Sequence, residues 1–164
     1  MNIWISGYRY MDYWSALKSL GLYSLQRRRE RYQIIYIWSI LEGRVPNILT
    51  RDGTPLISVK SHSNMRRGRT ISLPTLKRSR YSKLRYDSFP FHGARLFNAM
   101  PNFLRSLTHI SKDSFKTQLD ECLKLISDEP QIQHYTPFRR APSNSIVHMR
   151  TTANWSKSAM GCGF

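Results

Sequence analysis

The sequence predicts a mainly α-helical fold: a small helical unit with an N-terminal helical hairpin, a long basic irregular segment and a disordered C-terminal tail. Three observations predict it. Apolar residues recur at helical spacing in the stretches 25–42 and 112–126, and residues suited to helix caps bracket both. Gly, Pro, Ser, Thr and Arg crowd residues 50–90, where the apolar pattern is weak. Beyond residue 131 the chain is rich in Ser, Thr, Asn and Pro, a composition poor in core material. The chain therefore divides into a helical hairpin at 1–49, a basic loop-rich linker at 50–90, a helical segment at 91–130 and a tail at 131–164.

Each element has a local reason. Asp12 suits the N-cap of a short helix at 13–20, and Gly21 suits a left-handed stop. Ser24 suits the N-cap of a second helix at 25–42, with Gly43 as its stop and Pro46 beyond. Polarity in this second helix is split along the axis. Its first half, with Arg27, Arg28, Arg29, Glu30 and Arg31, should protrude, and its second half, from Ile34 to Leu41, should be buried. Residues 56–59 and 70–73 read as short strands, and 88–92 as an extended piece. A short helix follows at 93–100. Pro101 suits the first turn of the next, at 102–107, because a proline there sacrifices no hydrogen bond. Ser111 caps a helix at 112–126 whose Phe115, Leu119, Cys122, Leu123 and Ile126 share one face. Trp14, Trp38, Phe97, Phe103 and Phe115 fall at apolar helical positions and read as core. The helices at 25–42, 93–107 and 112–126 should build one core.

Charge narrows the function. The 164 residues carry 26 Lys and Arg against 10 Asp and Glu, a formal net charge of +16. Such self-repulsion is relieved by a polyanion. The excess is greatest in 51–90, with ten basic and two acidic residues. Two cysteines, Cys122 and Cys162, make no disulfide framework, and no apolar run is long enough to read as a secretory leader or a membrane span. The expectation is an intracellular protein, nuclear or cytoplasmic, without a membrane partner.

Catalytic chemistry finds little to use. Two-metal phosphoryl transfer needs clustered carboxylates. No two aspartates are adjacent, and Asp120–Glu121 and Asp128–Glu129 read as solvated or capping acids. The five histidines are widely separated and no Cys-x-x-Cys spacing occurs, so neither a metal site nor a cofactor is expected. Nucleic acid, RNA or single-stranded DNA, is the expected partner. Arg27, Arg28, Arg29 and Arg31 crowd a helix N-terminus, where a phosphate would meet both guanidinium groups and free N–H groups. Arg66, Arg67, Arg69, Lys77, Arg78, Arg80, Lys83 and Arg85 add a second basic run, with Tyr81 and Tyr86 interleaved as stacking faces.

Residues 12–47, DYWSALKSLGLYSLQRRRERYQIIYIWSILEGRVPN, resemble the stretch downstream of the polymerase domain in jockey-like non-LTR (LINE-type) retrotransposon reverse transcriptases. Later pieces agree in order: Arg66-Arg67-Gly68-Arg69, His92 to Asn98, Pro101, Leu104-Arg105, Phe115-Lys116, Leu119-Asp120, Ser127 to Pro130 and Ser143-Asn144-Ser145. The resemblance covers about residues 3–148. It implies a truncated, non-catalytic C-terminal fragment of an RNA-directed DNA polymerase from a transposable element, for the family's paired catalytic aspartates are absent. It also implies a role in holding template RNA or target DNA, and contact with the polymerase core of a complete element. Two further readings stand beside it: a non-functional remnant of a degraded mobile element, and a basic helical module that binds proteins or membrane surfaces. Membrane-surface helices segregate charge around the circumference rather than along the axis, which counts against the last.

Overall fold

The computed structural model describes residues 12–47, 57, 71–75, 86–129 and 144–149. They form a mainly α-helical unit with no strand among the described residues. In chain order the helices are α1 (Tyr13–Ser19), α2 (Leu25–Leu41), α3 (Phe89–Ala99), α4 (Asn102–Arg105), α5 (Lys112–Lys124) and α6 (Ile146–Met149).

Helix ends follow the cap chemistry. Asp12 accepts a hydrogen bond from the Ser15 N–H, Ser24 from that of Arg27 and Ser111 from that of Ser114. Gly21 and Gly43 sit at φ +63° and +70° just past α1 and α2. There the N–H groups of Leu22 and Arg44 reach back to the carbonyls of Leu17 and Ser39, at 2.9 Å each. An L side chain at either glycine would be strained.

The core is built on α2, which packs against α3 and α5; α4 packs against α5 and α6 against α3. Ile34, Ile37, Leu96, Phe97, Leu104, Phe115, Leu119 and Leu123 are buried there. Trp38 stacks on Phe115, ring centroids 4.3 Å apart and planes within 6°. Its indole N–H donates to the Leu107 carbonyl at 3.0 Å, so the ring's polar edge is satisfied inside the core. Glu42 accepts from the His109 N–H at 2.8 Å, and Arg44 donates to the Ile110 carbonyl, which ties the end of α2 to the α4–α5 loop. Each fully buried aliphatic side chain contributes about 1.5–3 kcal/mol of transfer free energy.

Several expectations are corrected. Helix α3 begins at Phe89, not Gly93, so 88–92 is not an extended piece. Pro90 belongs to the first turn, where its missing N–H costs no hydrogen bond and its fixed φ suits the helix. Pro101 is the N-cap of α4 rather than a residue of its first turn. Phe103 is 48% exposed and lies outside the core, whereas Trp38, Phe97 and Phe115 are inside it. Residues 71–75 are not a strand. The Asn98 side chain takes the place of a partner strand there, accepting from the Leu73 N–H at 2.8 Å and donating to the Leu73 carbonyl at 2.7 Å. Asn47 treats Ile57 the same way, at 2.8 and 2.9 Å. Leu73 and Ile57 are buried in the core, so the basic segment contributes two anchors to it. Finally, α6 lies within the stretch read as tail, and its Ile146 has no solvent exposure.

Candidate nucleic-acid interface

The start of α2 carries the four arginines singled out from the sequence, and the helix divides them. Ser24, Arg27, Glu30, Ile34, Ile37 and Leu41 recur at intervals of three or four. That stripe is the inward face, and it runs on through the charged turn. Arg27 and Glu30 are accordingly buried with no exposure, contrary to the expectation that this half of the helix protrudes.

A polar network receives them. The Arg27 Nη2 donates to the Ser127 carbonyl at 2.8 Å and to the Asn144 carbonyl at 3.5 Å, and its Nε lies 3.6 Å from the Asp128 carboxylate. Burial pushes the guanidinium below its ordinary pKa, while Asp128 and Glu30 act in the opposite direction. Glu30 accepts from the Ile146 N–H at 2.8 Å and from the Gln26 amide at 2.9 Å. Asp128 accepts from both the N–H and the hydroxyl of Ser24, and Asn144 donates to the Ser24 hydroxyl at 2.9 Å. A carboxylate of the chain itself therefore occupies the helix start where a phosphate was expected.

Arg31 is also engaged. Its Nε and Nη2 form a two-pronged ion pair with Asp120 on α5, which holds its pKa above the ordinary value. Arg28 and Arg29 remain. Both are exposed, and neither forms an ion pair or side-chain hydrogen bond among the described residues. Of the expected cluster, Arg27 and Arg31 thus hold the fold, and Arg28 and Arg29 face outward.

Carboxylates elsewhere are also in use. Asp12 caps α1, Glu42 binds the His109 N–H, Asp87 faces Arg95 at 4.0 Å, Asp113 pairs with Lys116 and Glu129 with Lys18. Glu121 has no such partner among the described residues. Among the described residues every acid but Glu121 is thus engaged within the fold, and none of them pairs with Arg28 or Arg29.

Sequence reasoning missed two aromatic residues. Tyr32 and Tyr36 follow Arg28 and Arg29 along α2 and are 65% and 36% exposed. The signal lay in the helical spacing: Arg29, Tyr32 and Tyr36 stand at i, i+3 and i+7, and Arg28 and Tyr32 at i and i+4. Tyr36 rests edge-on against Phe89, ring centroids 5.5 Å apart, and the Arg31 guanidinium lies 5.6 Å from the Tyr32 ring. Beside these rings is an apolar groove of about 520 Å³ whose lining includes Ile35, Val45, Phe89 and Lys112 and, among the described residues, no acidic side chain. Tyr86, read as a stacking face, instead carries the Arg95 guanidinium 3.4 Å above its ring. Arg66, Arg67, Arg69, Lys77, Arg78, Arg80, Tyr81, Lys83 and Arg85 lie outside the described residues.

Among the described residues no group of three or more His, Cys, Asp or Glu side chains could hold a metal ion, and no helix is long and apolar enough to cross a membrane. Burial raises the Cys122 thiol pKa to about 12, which makes it a core residue and not a nucleophile. Compared with known proteins, the chain matches no family model, no curated protein and no solved structure.

Proposed function

We propose that this chain is a non-catalytic, nucleic-acid-binding helical module, akin to the region downstream of the polymerase domain in non-LTR retrotransposon reverse transcriptases. The observation that carries the reading is the division of the α2 arginines. Arg28 and Arg29 project from a rigid helix with no acidic partner among the described residues, while the neighbouring acids are engaged elsewhere. A helix held at both ends is a better platform for phosphate contacts than a mobile charged turn, because the cationic groups need no ordering on binding. Contacts of this kind fix a nucleic-acid backbone without reading sequence. The parent family supplies the expected setting, in which such a module steadies RNA or DNA while the polymerase acts.

The test is competition binding at one fixed, low salt concentration, with a labelled single-stranded oligonucleotide and the variant Arg28→Glu/Arg29→Glu. The variant is expected to bind about tenfold more weakly or worse, with an unchanged helical circular-dichroism spectrum. Equal binding by wild type and variant would remove this helix face from the interface. Failure of the wild-type chain to bind would contradict the reading as a whole.

A further inference from the structure

The exposed face of α2 combines three features that together specify a ligand more closely than charge alone. Two outward guanidinium groups stand at one end, two tyrosine rings follow them, and an apolar groove with a lysine in its wall lies beside the second ring. We propose that this face is a stacking site for extended single-stranded nucleic acid, with its phosphates toward Arg28 and Arg29, one base on the Tyr32 ring and the next in the groove beside Tyr36. This inference rests on the nucleic-acid reading above and adds the strand form and the groups that grip it.

Helix geometry sets the strand form. Residues 32 and 36 lie about 6 Å apart along the axis, nearly twice the 3.4 Å between stacked bases of a duplex strand. Bases placed on both tyrosines are therefore unstacked from each other, which an extended single strand permits and a paired duplex does not. The rings are suitably prepared. Phe89 steadies the Tyr36 ring from the side, and Tyr32 stands 65% exposed with the Arg31 guanidinium near it. An aromatic face beside a guanidinium accepts any base, so the site reads strand state rather than sequence.

Charge complementarity selects the occupant. An apolar groove alone would suit a hydrophobic helix or a second copy of the chain. Among the described residues this groove has Lys112 in its wall and no acidic side chain, and the arginines that continue its face would repel a like-charged copy of a chain with net charge +16.

The experiment uses the full chain and a short single-stranded DNA carrying the fluorescent adenine analogue 2-aminopurine, with the matching duplex as control. Stacking on an aromatic ring quenches the analogue. Wild type is expected to bind the single strand with quenching. Tyr32→Ala is expected to weaken that binding at least about fivefold and to relieve the quenching, with duplex affinity unchanged. Tyr32→Phe retains both affinity and quenching. Tyr32 is used because its exposure makes loss of folding a poor explanation for any effect, and Tyr36→Ala is read only after its thermal unfolding matches wild type. If wild type binds but Tyr32→Ala binds and quenches equally, the stacking site is overturned while the basic reading survives. If wild type binds neither strand form, that reading falls and this inference falls with it. A concentration-dependent dimer that dissociates in Tyr32→Ala would assign the groove to a second copy and overturn the inference.

Discussion

The Arg27 side chain has no solvent exposure, and its charge is answered by Asp128 at 3.6 Å and by two backbone carbonyls. Removing the buried guanidinium leaves a cavity and strips the Ser127 carbonyl of its donor, a loss of about 1–3 kcal/mol. Arg27→Ala should therefore lower the urea midpoint sharply, whereas Arg28→Ala should change stability by less than about 0.5 kcal/mol. Equal midpoints for the two would contradict their assignment to opposite faces. Thiol chemistry gives a second check at this scale. With its pKa raised to about 12 by burial, Cys122 should resist alkylation at neutral pH in a Cys162→Ser background until the chain is unfolded; rapid labelling of the native protein would contradict its burial. Single residues were the least legible level of the sequence. A run of four arginines around Glu30 looks solvated, because charge at a helix end is usually solvated. The spacing that carries Arg27 and Glu30 inward is visible only when the stripe through Ile34 and Ile37 is extended one turn back. Asp128 and Asn144, which meet Arg27, and Ile146, which meets Glu30, lie more than one hundred residues away, where no local pattern could point to them.

At the scale of elements, caps and periodicity made α1, α2 and α5 legible, since Asp12, Ser24 and Ser111 all cap the helices expected of them. What escaped was structure made by side chains reaching across the fold. Asn98 and Asn47 each clasp a peptide of the irregular segment, and no propensity scale records an asparagine acting as a strand. Helical periodicity puts 93–107 in one core with 25–42 but assigns Gly93 no part in that contact. A Cβ there would stand 2.4 Å from Ile37 Cδ1, so the tip of the Ile37 side chain fills the space above Gly93 and must shift for any larger residue. Gly93→Ala should cost roughly 1–3 kcal/mol from overpacking, offset in part by about 0.5–1 kcal/mol of helix preference. Ile37→Val removes the obstructing methyl. A double-mutant cycle of the two should show favourable coupling of about 1 kcal/mol in thermal or urea unfolding, and strict additivity would contradict this close approach.

Across the whole molecule, composition gave the right class. Two apolar stripes and one basic surplus describe a small helical body with displayed charge, and that is what the described residues form. Composition misjudged residues 144–149. A stretch rich in Ser, Asn and Pro reads as tail, yet Ile146 enters the core and its N–H binds the buried Glu30 carboxylate at 2.8 Å. One apolar residue in a polar context carries little sequence signal, although it closes the network around Arg27. Ile146→Ala should destabilise the whole unit by about 2–5 kcal/mol, a change that a disordered tail could not produce. Unfolding curves that match wild type would remove α6 from the core.

Helix α2 turns Arg27 and Arg31 inward to hold the fold and leaves Arg28 and Arg29 outward, where the proposed function has them meet phosphates. The slope of log affinity against log salt concentration tests it most directly, measured on single-stranded RNA for wild type and for Arg28→Gln/Arg29→Gln. Each phosphate contact on a single strand contributes about 0.7 to that slope. A slope shallower by about 1.4 in the variant, at unchanged stability, is the predicted result. An unchanged slope, or a wild-type affinity that does not respond to salt, would contradict it.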